Sequence, residues 1–112
     1  MAKNPMDLLH GTLDVLVLKS LARGPAHGYA VSRSIGDRTG GVFAVEDAAL
    51  YKALHRLEAT GAIESDWGVS ESNRRAKYYQ LTRRGRALLK TETDVWHRYA
   101  AAVLSVLKAA EA

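Results

Sequence analysis

A chain of 112 residues, 47% hydrophobic and 25% charged, is one globular domain's worth of sequence, too short for two independent cores and too apolar for disorder. It holds no cysteine, which excludes disulfides, thiolate nucleophiles and cysteine-ligated zinc, and its formal charge of +4 becomes informative only once the charges are located. No apolar run approaches the ~18 residues of a membrane span, and no basic-then-apolar leader with a cleavage site opens the chain, so a cytoplasmic location is expected.

Asn4-Pro5 sets a capping residue before a proline at a first helical position. Leu8, Leu9, Leu13, Leu16, Val17 and Leu21 then form a helical stripe that Arg23-Gly24-Pro25 stops, which predicts a buried scaffold helix. A second helix is predicted from His27 to about Arg38, closed by Thr39-Gly40-Gly41, with His27 suited to capping or packing rather than chemistry. Val42-Phe43-Ala44-Val45 is too short for a helix and reads as a brief extended segment.

Glu46 to Thr60 is the most organised stretch. At about 100° per residue, Leu50, Ala53, Leu54 and Leu57 share one face, the core face of an amphipathic helix. The opposite face carries Ala48, Lys52, His55 and Ala59, flanked by Tyr51 and Arg56. Taken alone it is either an ordinary solvated face or a narrow surface able to enter a DNA groove and reach phosphates and base edges. Gly61 closes this helix.

Two strand-like runs follow, Ala62 to Trp67 and Ala76 to Leu81, joined by the turn composition of Gly68 to Asn73. Tyr78 and Tyr79 alternate, so one faces the core and the other the groove or solvent. Charge concentrates here: residues 1–60 hold seven Lys/Arg against six Asp/Glu, residues 61–112 nine against six. From Arg74 to Lys90 every charged residue is a cation. Such a single-sign cluster is either a solvated face or, in a small basic domain, the footprint of a polyanion site.

Thr82 caps a last helix predicted to reach about Ala109. Leu89, Trp96, Val103 and Ala110 recur every seven residues, and Leu88, Val95, Tyr99, Leu104, Val106 and Leu107 widen the stripe. A helix of ~28 residues, ~40 Å long, overhangs so small a domain, and a twofold copy of the chain is the favoured cover for its far half. The expected organisation is therefore a DNA-binding domain over residues 1–81 and a C-terminal dimerisation helix over 82–112.

Three helices, a hairpin and a helix make a mainly α (α+β) winged helix-turn-helix arrangement, whose third helix enters the major groove while the hairpin follows the backbone. On this reading double-stranded DNA is the partner. The candidate contacts are Tyr51, Lys52, His55 and Arg56 on the helix and Asn73, Arg74, Arg75 and Lys77 on the wing.

Four segments also carry a resemblance. Leu9-His10-Gly11-Thr12-Leu13, Gly24-Pro25-Ala26-His27-Gly28-Tyr29, Leu50-Tyr51-Lys52-Ala53-Leu54-His55-Arg56-Leu57-Glu58 and Arg74-Arg75-Ala76-Lys77-Tyr78-Tyr79-Gln80-Leu81-Thr82 resemble the PadR family of bacterial transcriptional regulators, short branch, with one C-terminal helix. The resemblance implies a homodimer made through the last helix, with Leu89, Trp96, Tyr99, Val103, Leu104 and Leu107 in its interface. It also implies a palindromic operator and, usually, repression relieved by a small molecule or stress signal. In some short relatives an interface cavity accepts flat apolar ligands between aromatic side chains, so Trp96, Tyr99 and Val103 are either plain interface packing or an effector site. The chain departs from the pattern at Ala48-Ala49, where glycine then serine or threonine is common, and at Lys52, where proline is usual.

No nucleophile-base-acid set, carboxylate pair or cofactor fingerprint can be placed, so no enzyme activity and no cofactor is expected. Gly24, Gly28, Gly40 and Gly41 form no phosphate-cradling motif, and the isolated His10 and His97 belong to no metal-ligand spacing. The competing reading is a helical protein-interaction module whose last helix binds a protein and whose basic wing only solubilises.

Overall fold

Leu13, Val17 and Leu18 fall on one side of the first helix, α1 (Leu13–Ser20), and all three are buried, as is Leu21 just past its end. The computed structural model describes residues 12–109. The expected start at Asn4-Pro5 and the stripe residues Leu8, Leu9 and Ala110 lie outside them.

Around α1 pack α2 (Gly28–Arg38), α3 (Asp47–Ala59) and α4 (Arg83–Ala109), so this short apolar helix is the hub of the molecule. Val31 and Ile35 enter the core from α2, and Leu50, Ala53, Leu54 and Leu57 from α3, as the helical spacing predicts. The last turn of α3 closes with Gly61 N–H donating to the Glu58 carbonyl and Ala62 N–H to the Leu57 carbonyl, at 3.0 and 2.9 Å, pairing two C-terminal carbonyls that would otherwise be orphaned. Between α2 and α3, residues 42–46 join no strand ladder; the segment is irregular, and Phe43 and Val45 pack against the core from outside it.

The sheet has three antiparallel strands in the order β1-β3-β2, where β1 is Ala26–His27, β2 Ile63–Val69 and β3 Arg75–Leu81. The hairpin was expected; the two-residue β1, paired Ala26 to Tyr79 and His27 to Tyr78, was not. Both hairpin strands run beyond the predicted ends, to Val69 and from Arg75, which narrows the loop to residues 70–74. Tyr79 is the tyrosine that enters the core, while Tyr78 lies on the other face and donates from its hydroxyl to the Val69 carbonyl at 3.2 Å.

Thr82 anchors α4 as expected. Its Oγ1 accepts from Gly85 N–H at 3.0 Å and donates to the Gly61 carbonyl at 2.6 Å, tying the start of α4 to the end of α3. Gly85 is buried against the Ala62 carbonyl, and a Cβ there would overlap that oxygen. Leu88 and Leu89 then rest partly on the core, after which the helix leaves the domain. Beyond Trp96 its apolar side chains are open, and the molecule is drawn out to 57 Å in its longest dimension. No described helix is long and apolar enough to cross a membrane.

Candidate nucleic-acid interface

The outward side of α3 follows from its buried side. With Leu50, Ala53, Leu54 and Leu57 turned inward, Lys52 and His55 are left exposed at the crest, and Tyr51 and Arg56 on opposite flanks. Those flanks meet different neighbours. Arg56 turns toward α1, where its Nε and Nη2 donate to the two carboxylate oxygens of Asp14. This hydrogen bond, more than any bulk field, pushes the Arg56 pKa upward and keeps its charge paired inside the chain.

Tyr51 turns the other way and covers the first residue of α2. A Cβ on Gly28 would lie 2.7 Å from the Tyr51 hydroxyl oxygen, so glycine here is what lets the ring settle against the helix start. The same turn is capped by His27, whose Nδ1 accepts from Ala30 N–H at 3.2 Å, while its ring meets Tyr78 edge-on at 5.4 Å. His27-Gly28 is thus a packing unit that joins α2, α3 and the sheet.

Alternation along β2 and β3 places Ile63, Ser65, Trp67 and Val69 on one face with Leu81, Tyr79, Lys77 and Arg75. That face is core at its base and opens outward toward the tip. At the boundary Glu58, near the end of α3, accepts from Ser65 Oγ at 2.5 Å and lies 3.9 Å from Lys77 Nζ. Burial, then the charge on Glu58, pushes the Tyr79 phenol above its ordinary range, so it stays neutral. Glu58 was not among the expected site residues; its signal lay in pairing across elements, which a helical wheel does not display.

At the tip, Asn73 takes a left-handed conformation with φ of 60°, and its N–H donates to the Ser70 carbonyl at 2.9 Å. Its first role is to make the turn. Arg74 and Arg75 follow it into the open, and among the described residues neither is ion-paired, whereas Lys77 leans on Glu58 and Arg56 on Asp14.

The expected residues therefore divide. Tyr51, Arg74, Arg75 and Lys77 line one open cleft, bounded on the far side by Tyr29, Arg33 and Arg38 of α2 and by Arg23 of the turn after α1. Lys52 and His55 stand on the exposed crest outside that lining, and Arg56 faces away from it toward α1. Arg23, the α2 cations and Trp67 also line the cleft and were missed as site residues. Arg33, one turn after Tyr29, donates to its hydroxyl at 3.3 Å and would have been recoverable from that spacing. Among the described residues no group of His, Asp and Glu could hold a metal ion.

On α4 the expected interface residues are unequal. Leu89 rests partly on its own domain, Trp96 is half-buried with Tyr99 edge-on at 5.4 Å, and Tyr99, Val103, Leu104 and Leu107 are exposed.

A third helix held over a basic hairpin by a three-helix core, with a long helix leaving the domain, defines a winged helix-turn-helix protein. The PadR-like family of transcriptional regulators matches residues 17–91, and the chain belongs to it. Members of this family are regulators and not enzymes. An uncharacterized protein of Lysinibacillus sphaericus is 32% identical over 90 residues, covering 80% of this chain and 83% of that protein. Among solved structures, a transcriptional regulator from Clostridium thermocellum superposes with a TM-score of 0.78 at 30% identity, over 87% of this chain and 94% of that one. A PadR family regulator from Eggerthella lenta gives 0.75 at 36% identity, over 90% and 86%.

Proposed function

We propose that this regulator is a repressor that binds a palindromic operator as a homodimer joined through α4. On this reading residues 1–81 form the DNA-binding domain and residues 82–112 the dimerisation helix. Lys52 and His55 approach base edges from the crest of α3, and Arg74, Arg75 and Lys77 engage the flanking backbone together with Tyr51. Asn73 shapes the tip, and Arg56 reaches DNA only if Asp14 releases it. The observation that carries the proposal is the shared cleft, with Tyr51 on one wall and the wing cations on the other.

Selection of duplexes from a random pool by the native chain tests it. A palindrome with half-sites about one helical turn apart is expected. Affinity should fall with salt at a slope near −0.9 per phosphate contacted, and Arg74→Ala/Arg75→Ala should lower that slope by about two contacts while the dimer persists. A chain that enriches no duplex, or whose double variant binds unchanged, overturns the proposal.

Regulation is assigned to the aromatic pair on α4. A planar apolar compound seated by Trp96, Tyr99 and Val103 at the dimer axis would weaken operator binding by favouring a dimer with wrongly spaced recognition helices. In a Trp67→Phe background such compounds should quench the remaining Trp96. Unaltered compound affinity in Trp96→Ala would remove this site from the proposal.

A further inference from the structure

Trp67 is a large aromatic of the wing that neither enters the core nor belongs to the DNA contacts assigned above. It shares the inner face of the hairpin with Ile63 and Ser65, but two residues further out, where α3 no longer covers the sheet, so 56% of it is exposed. Its direct cross-strand partner is Lys77, which leans instead toward Glu58 and over the Tyr79 ring at 5.8 Å. The face of Trp67 is thereby left to the diagonal neighbour Arg75, whose guanidinium carbon stands 4.4 Å above the ring centroid. Both residues line the cleft that also holds Tyr51 and Arg74.

A flat cation over an aromatic face keeps its in-plane N–H groups free, because the ring engages the π surface and takes no hydrogen bond. Among the described residues Arg75 has no carboxylate partner, so the ring is what limits its side-chain freedom. An arginine so restrained loses less rotamer entropy when it closes on an anion than one free in solvent.

We propose that Trp67 is a positioning residue for DNA binding: its ring holds the Arg75 guanidinium edge-out on the cleft wall, where a phosphate of the bound duplex would be clamped. The inference rests on the DNA-binding reading given above. It deepens that reading by making one wing cation dependent on one aromatic side chain.

The experiment is a double-mutant cycle on a duplex selected by the native chain, read as Kd across a salt series. Arg75→Ala should reduce the salt slope by about one contact. Trp67→Ala should weaken binding about three- to five-fold, the order of an exposed cation–aromatic pair, while Trp67→Phe retains most of the affinity and Trp67→Leu does not. With Arg75 already replaced by alanine, Trp67→Ala should change Kd less than two-fold. Equal losses with and without Arg75, or a Leu variant that binds as well as the Phe variant, would overturn the positioning role. If Trp67→Ala does not fold, the Phe and Leu variants decide alone, since both fill the space and only one offers a π face. A native chain that selects no duplex overturns the DNA-binding reading, and this inference with it. A native chain that binds while all Trp67 variants match it overturns this inference only.

Discussion

α3 and α4 are written in the same code, an apolar stripe at helical spacing with charges opposite, yet they meet opposite fates. The stripe of α3 is at most 3% exposed, because α1, α2 and the hairpin close on it from three sides. The stripe of α4 sinks partly at Leu88 and Leu89 and then emerges, with Val95, Tyr99, Val103, Leu104, Val106 and Leu107 between 41% and 72% exposed. Periodicity says which residues want cover; it does not say whether the same chain supplies it. A run of open apolar side chains this long is unusual for a surface without a partner.

The sharpest way to break the comparison is to truncate both stripes alike. Leu54→Ala should cost about 2–5 kcal/mol in a urea melt, as large-to-small changes in closed cores do. Leu107→Ala should leave the stability of the single domain within about 0.5 kcal/mol and instead shift sedimentation toward monomer. Equal effects on the melt would mean that the far half of α4 is covered within its own chain.

Gly85 probes the point where α4 changes from buried to free. Alanine there drives a methyl into the Ala62 carbonyl, and a loss of about 1–3 kcal/mol is expected by thermal unfolding, the range for overpacked sites. Unchanged stability would show that the helix start can slide. At the far end of α3, Glu58→Ala removes the acceptor of Ser65 and the neighbour of Lys77; about 0.5–1.5 kcal/mol of stability should go with it, and hydrogen exchange in residues 63–69 should quicken. Asp14→Ala has the smallest expected effect. The pair it breaks is half exposed, so the cost is at most about 1 kcal/mol, and a gain in DNA affinity would reveal that Arg56 had been withheld from the duplex.

The order of elements was readable before any coordinates, because the buried quartet of α3, the Thr82 cap and the Gly61 stop are local signals that decide local outcomes. What escaped depends on distance in the chain. β1 is two residues long, too short to carry a pattern, and exists because Tyr78 and Tyr79 offer it a ladder. A helical wheel gives Arg56 a direction without neighbours, so its ion-pair partner Asp14, 42 residues away, could not be read from it. Trp67 read as one more apolar step of an alternating strand, while its position past the edge of α3 makes it a surface residue of the cleft. Residues 42–45 carry no pattern that tells a paired strand from an unpaired segment, and the packing of Phe43 and Val45 satisfies their hydrophobicity without a strand.

The brace that Glu58 makes from α3 to both hairpin strands has a mechanical meaning. It ties α3 to the wing, so that moving one against the other breaks a hydrogen bond and an ion pair together. If two chains pair through α4 as proposed, a signal would then be expressed as the gap of a caliper, measurable by spin labels on the two wings, while the shape of each half stays constant.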